Sequence, residues 1–191
     1  VSSYIGADIV AGAYVCELHK ADENIQNQEP VIDDDELSER SGYYDYMERT
    51  RAVKLESQVE LENQDLENPF EKKLPTFNGF TNNITLREKE LAIEKLKLAD
   101  QHGSQMWSMV FSFSDEFLRD NGIINADGML DQRLLKERFR TGFNRVLEQQ
   151  GFIHEGETLE DRNTFYLANI HLNTNHVHIH VALSELEPMR A

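Results

Sequence analysis

The chain predicts an α/β domain of the α+β kind, with a central antiparallel sheet flanked by helices. Three observations carry that expectation. Strand-like alternation and helix-like spacing follow one another in mixed order rather than in a βαβ series. The chain closes on two consecutive strand patterns joined by a short polar stretch, as in a hairpin. Its 191 residues suffice for one hydrophobic core, so a single domain over residues 1–191 is expected. The opening at Val1 and the ending at Ala191 read as a piece of a longer protein.

Each element has its own local reason. Tyr4 to Leu18 is apolar and β-rich, predicting one or two strands around Gly6 and Gly12. Residues 20–36 are acidic, contain Pro30, and read as an irregular excursion. Glu36 to Glu56 predicts a helix that buries Leu37, Tyr44, Met47 and Leu55. Residues 57–83 are polar, broken by Pro69, Pro75 and Gly79, and read as a second irregular excursion. Thr85-Leu-Arg-Glu88 is a capping-box pattern before Leu86, Leu91, Ile93, Leu96 and Leu98; it predicts a helix to about His102, stopped by Gly103.

Met106 to Phe113 alternates and predicts a strand with Trp107 in the core. Ser114-Asp-Glu opens a short helix ending near Asn121-Gly122. Met129 to Gln150 has helical spacing through Leu130, Leu134, Leu135, Phe139, Phe143, Val146 and Leu147, and Gly151 ends it. Thr164 to Ile170 predicts a strand, followed by a last strand rich in histidine.

Composition bounds the function classes. A lone Cys16 excludes a disulfide framework and suits a reducing cytoplasm. No apolar run is long enough to insert in a membrane. The formal net charge of −16 weighs against a nucleic-acid binder, yet the acid concentrates in Asp22 to Glu39 and Glu56 to Glu71. Basic residues gather at Arg49, Arg51 and Lys54 and from Arg133 to Arg145, so a bipolar surface is open to the chain.

The chemistry-bearing run is His171-Leu-Asn-Thr-Asn-His176-Val-His178-Ile-His180-Val-Ala. Alternation with Val177, Ile179 and Val181 puts His176, His178 and His180 on one strand face, with His171 just across the turn. A lone histidine on a strand is ordinarily a solvated polar group. Four in this spacing point instead to a divalent-metal site with coordination positions open to substrate. Imidazole alone suits zinc, copper, iron or nickel, whereas a substrate phosphate would admit Mg²⁺ or Mn²⁺.

This pattern resembles the metal motif of the conjugative relaxases, the mobilisation proteins of the HUH endonuclease group. It is most similar to the MobL class within the wider MobP group. The motif's His-hydrophobic-His pair is matched by His178-Ile179-His180 or His176-Val177-His178, with His171 upstream. Glu187-Pro-Met-Arg190, Met106-Trp107 with Val110 to Phe113, and Tyr43-Tyr-Asp-Tyr46-Met-Glu-Arg49 are similar too, so the resemblance spans about Tyr43 to Arg190. Because relatives often carry Asn or another non-ligand where His176 stands, the resemblance favours His171, His178 and His180 as ligands. His176 is then a neighbour able to tune or replace one of them.

The resemblance implies an HUH-type fold with the histidines on a central strand. It implies site- and strand-specific nicking of plasmid or integrative-element DNA at an origin of transfer, through a 5′-phosphotyrosine intermediate. Mn²⁺ or Mg²⁺ is the expected cofactor, with Zn²⁺ or another ion possible. Single-stranded origin DNA, relaxosome accessory proteins and a conjugative coupling protein are the implied partners.

Tyr43, Tyr44 and Tyr46 are the candidate nucleophiles. On a helix Tyr43 and Tyr46 share a face and Tyr44 points elsewhere. The family's tyrosine followed three residues later by arginine matches Tyr46 and Arg49, which favours Tyr46, with Arg49 placed to hold a phosphate oxygen. Aromatic clusters on amphipathic helices are ordinarily core, so the histidines alone make these tyrosines catalytic candidates. Glu185 and Glu187 can orient an imidazole or be plain surface carboxylates, and Arg133, Arg138, Arg140 and Arg145 can contact phosphate or line a solvated helix face.

Three other functions compete. A rolling-circle replication-initiator nickase uses similar chemistry, but there the histidine pair usually precedes the tyrosine in the chain. An unrelated histidine-rich hydrolase or oxygenase would bind metal without single-stranded DNA. A non-catalytic module would keep the fold without cleavage.

Overall fold

The computed structural model describes residues 14–15, 39–64, 66–154, 156–158, 161–173 and 175–189. The predicted excursion at 20–36, Leu37 and most of the predicted Tyr4 to Leu18 strands lie outside the described residues. A five-stranded sheet has the order β1-β3-β5-β4-β2 and every neighbouring pair is antiparallel. Its strands are β1 (Tyr14–Val15), β2 (Phe77–Asn78), β3 (Met106–Phe113), β4 (Thr164–His171) and β5 (Val177–Glu185). The helices are α1 (Glu39–Glu48), α2 (Ser57–Glu62), α3 (Leu86–Gln101), α4 (Asp115–Asp120) and α5 (Gln132–Gln149).

Strand alternation sorts the core into two layers. On one face Phe111, Tyr166, Ile170, Ile179, Val181 and Leu183 pack with Leu135, Phe139, Phe143 and Leu147 of α5. Phe139 meets Phe111 edge-on with centroids 5.0 Å apart, and Phe143 meets Tyr166 in the same manner at 5.0 Å. On the opposite face Phe165, Leu167 and Ala182 pack against Tyr44 and Met47 of α1 and Leu96 of α3. The histidines belong to this second face.

Most predicted ends hold for the predicted reasons. Thr85 and Glu88 form the reciprocal capping box of α3, which runs through Gln101 before Gly103 turns the chain at φ 74°. The helix predicted from Met129 begins instead at Gln132, because the Asp131 side chain caps it by accepting from Leu134 N at 2.9 Å. Leu91 and Leu98, part of the spacing that predicts α3, are 53% and 41% exposed. Leu96 and Ala99 are buried and Ala92 and Ile93 partly so, while Leu91, Ala92 and Leu98 line an open cavity of about 510 Å³.

Two segments depart from expectation. The helix predicted over 36–56 stops at Glu48, where the chain turns back with Ala52 N donating to Arg49 O at 2.9 Å. Ala52 O then accepts from Leu172 N at 2.8 Å, which ties the end of the tyrosine helix to the end of β4. Residues 57–83 are not irregular throughout. They contain α2, a 3₁₀ turn at Pro69–Glu71 and edge strand β2, held by the fully buried Phe77 and by Asn63, whose amide bonds both the N and O of Lys73.

Candidate metal and tyrosine centre

The hairpin register builds the histidine cluster. His171 pairs with His178, and Asn169 pairs with His180, so all four side chains project from the same face. The His171 and His180 rings lie 4.0 Å apart. His176 sits in the bend just before β5 and is exposed, so the alternation that places His178 and His180 on the strand face stops short of it.

Helix α1 lies over this face. Its spacing turns Tyr44 and Met47 into the core, where the Tyr44 hydroxyl donates to Glu48 Oε1 at 2.8 Å. Tyr43 and Tyr46 share the neighbouring face and stack with centroids 6.1 Å apart. The Tyr46 ring meets His180 edge-on at 5.7 Å and His171 at 6.1 Å. The structure thus brings Tyr46, Arg49, His171 and His180 together, with Arg49 Nη2 donating to the Tyr46 hydroxyl at 3.1 Å.

The three tyrosines differ in exposure. Tyr46 is 36% exposed. Burial raises the pKa of Tyr43, with the Ser108 hydroxyl offsetting part of the effect and Tyr46 adding to it. Tyr44 is raised further, by burial and by the Glu48 carboxylate. Both are poor phenolate formers for the same physical reason: a buried charge loses its hydration.

The His171 and His180 imidazoles are held neutral. Burial first, then His171, His178 and Arg49, push His180 down to about 3. Burial lowers His171 as well, with Arg49 and His178 adding to it and the Met47 carbonyl opposing. That carbonyl lies 2.8 Å from His171 Nε2 and can only accept, so Nε2 carries the proton and Nδ1 the lone pair. His180 Nδ1 is buried without a hydrogen-bond partner.

Neutral imidazoles with a lone pair to give are the chemistry a divalent cation needs. Backbone support of one ring fits a ligand role as well. As the rings stand, however, no group of three or more His, Cys, Asp or Glu among the described residues is arranged to hold an ion.

The remaining sequence candidates lie elsewhere. Glu185 is buried at the end of β5 remote from the histidine pair, opposite Thr164, so it is neither a surface carboxylate nor an orienter of this cluster. Glu187 is exposed and pairs with His102 Nδ1 at 2.9 Å. Arg133, Arg138, Arg140 and Arg145 ride on α5, across the sheet, and Arg138 caps a turn by donating to Asn121 O at 2.6 Å. Trp107 packs edge-on against Phe152 at 5.7 Å, as a core residue would.

Sequence reasoning missed Asn169, Thr76 and Glu48, which line up behind the histidines. Thr76 Oγ1 lies 2.7 Å from Glu48 Oε1 and 3.0 Å from Asn169 Oδ1, and Lys89 pairs with Glu48. Asn169 was the legible one, since it precedes His171 by two residues and shares its face. Thr76, Glu48 and Lys89 carry no local signal.

No helix among the described residues is long and apolar enough to cross a membrane. No curated protein and no solved structure matches the chain. A family model described as MobL relaxases matches residues 7–191, nearly all of it. With DNA thereby the substrate class, the chain belongs to the MobL relaxases.

Proposed function

We propose that this protein nicks one strand of plasmid or integrative-element DNA at an origin of transfer, with Tyr46 as nucleophile. The observation that carries the proposal is the Tyr46 ring set against His171 and His180 while its hydroxyl is held by Arg49. Tyr46 is exposed enough for a strand to reach, whereas Tyr43 is half-buried and Tyr44 is core.

His171, His178 and His180 would hold a divalent cation, Mn²⁺ or Mg²⁺ by the hard oxygens of the substrate, with His176 at the margin. When bound, the cation withdraws charge from the scissile phosphate. The chain's own residues do the rest. The Tyr46 oxygen bonds to phosphorus and the bond from phosphorus to the 3′ oxygen breaks. The phenolic proton leaves, and the departing 3′ oxygen ends as a hydroxyl. The 5′ phosphate stays on Tyr46 as an ester, so the strand can be rejoined. Arg49 donates to the phenolic oxygen as negative charge is drawn onto it, and its planar fork suits a phosphate oxygen next to it.

Exposed Arg49, Arg51 and Lys54 supply positive charge beside this face, which reconciles DNA binding with the net charge of −16. Action in the cytoplasm, with relaxosome proteins and a coupling protein, belongs to the same proposal.

The test is incubation with 5′- and 3′-labelled single-stranded origin oligonucleotides and Mn²⁺. Wild type should form a covalent adduct bearing the 5′-phosphate fragment, sensitive to EDTA. Tyr46→Phe should form none and Tyr43→Phe should still form it. No adduct from wild type on its cognate origin would end the reading.

A further inference from the structure

The last turn of a helix leaves carbonyls with no partner inside the helix, and a buried one needs a donor from elsewhere. In α1 that turn carries Tyr46, Met47 and Glu48, with Arg49 next in the chain. Met47 is fully buried, and its carbonyl oxygen lies 2.8 Å from His171 Nε2. An imidazole N–H on one of the last carbonyls acts as a C-terminal cap. Here the cap comes from the end of β4, not from the helix's own sequence.

The two nitrogens of this ring have different tasks. A carbonyl oxygen only accepts, so Nε2 is protonated and the neutral ring keeps its lone pair on Nδ1. His171 is 2% exposed, so bulk water does not stand ready to replace the donor. The next residue holds the same segment by its backbone, with Leu172 N donating to Ala52 O at 2.8 Å. That second bond involves no side chain, so removing the imidazole loosens the end of α1 without detaching it. The Tyr46 ring, centred 6.1 Å from the His171 ring, rides on the capped turn.

We propose that His171 is a positioning residue for Tyr46: its Nε2–H caps α1 and leaves Nδ1 as the atom that meets a cation. The two ends are coupled through the ring. A cation on Nδ1 draws electron density from the imidazole and makes Nε2–H a stronger donor to Met47 O. By linkage, a cation that tightens the cap is itself held more tightly where the cap is formed. Filling the site therefore firms the helix that carries the nucleophile before any DNA arrives. The cap stands on the metal-free geometry alone, whereas the coupling rests on the function proposed above.

Two measurements test this: nitrogen-15 NMR of histidine-labelled protein, and hydrogen exchange of α1 peptides read by mass spectrometry. In metal-free wild type, His171 should be the Nε2–H tautomer, and saturating Mn²⁺ should slow exchange in α1. His171→Leu should speed metal-free exchange of α1 about tenfold, the scale of one lost hydrogen bond, with α5 across the sheet unchanged. His171→Gln puts an amide N–H where Nε2 stood and has no Nδ1. It should keep wild-type protection of α1 without metal and lose the slowing by Mn²⁺. A wild-type Nδ1–H tautomer, or α1 exchange in His171→Leu no faster than wild type, would overturn the cap. If His171→Leu does not fold, unprotected α1 in His171→Gln overturns it instead. Wild type that binds Mn²⁺ with α1 exchange unmoved would overturn the coupling. If wild type binds no Mn²⁺, the metal reading of the function falls, and the tautomer and metal-free exchange still decide the cap.

Discussion

The Arg49 guanidinium lies 4.1 Å over the centre of the Tyr46 ring while its Nη2 donates to that ring's hydroxyl at 3.1 Å. One side chain thus touches both the face and the oxygen of the proposed nucleophile. The two are three residues apart, one turn along the chain from α1 into the following bend.

Arg49→Ala should therefore slow formation of the DNA adduct by about 10²-fold, the scale of losing one preorganised donor. Arg49→Lys should fall between, because it keeps the charge and loses the planar fork. Single-turnover nicking rates check this, and since Arg49 is exposed the thermal midpoint should hardly move.

Metal-free stability should fall with acid through His180. Its folded value of about 3 lies below the ordinary 6.5, so the unfolded chain binds the proton more readily. The stability from its neutral ring is fully present above about pH 6.5 and drains away as pH drops toward 3. Urea unfolding at pH 7.5 and pH 5 should show a larger loss for wild type than for His180→Gln. Equal losses would mean His180 does not carry the effect.

A buried ion pair clamps the chain beyond the tyrosine helix. Lys136 of α5 is 1% exposed at its side chain and meets Glu56 at 2.8 Å. Burial lowers the Lys136 pKa and Glu56 opposes that. Glu56→Leu alone should cost about 3–5 kcal/mol by stranding the ammonium, while Glu56→Leu with Lys136→Met should be near neutral. Chemical denaturation of the single and double variants separates the two outcomes.

Helix α3 offers a local control. Thr85→Ala removes the side chain that accepts from Glu88 N at 3.1 Å and should cost about 1 kcal/mol. Denaturant midpoints should shift while adduct formation by the folded protein does not.

Local sequence alone determined a good deal here. The alternation of Met106 to Phe113, the capping box at Thr85 and the stops at Gly103 and Gly151 are rules of one turn or one strand, readable without the fold. So is the shared face of His178 and His180, because strand parity is local. Helical spacing likewise set Tyr46 beside Tyr43 and away from Tyr44.

Tertiary structure decided what parity and spacing cannot. The β4–β5 register set His171 opposite His178, and the bend at His176 left that imidazole off the strand. Packing of α1 across the sheet chose Tyr46 to face the rings. Asn169, Thr76, Glu48 and Lys89 met only because β4, α1, α3 and the segment leading into β2 converge. Contacts between distant segments follow from how faces are buried against each other, and no local pattern of side chains encodes that choice.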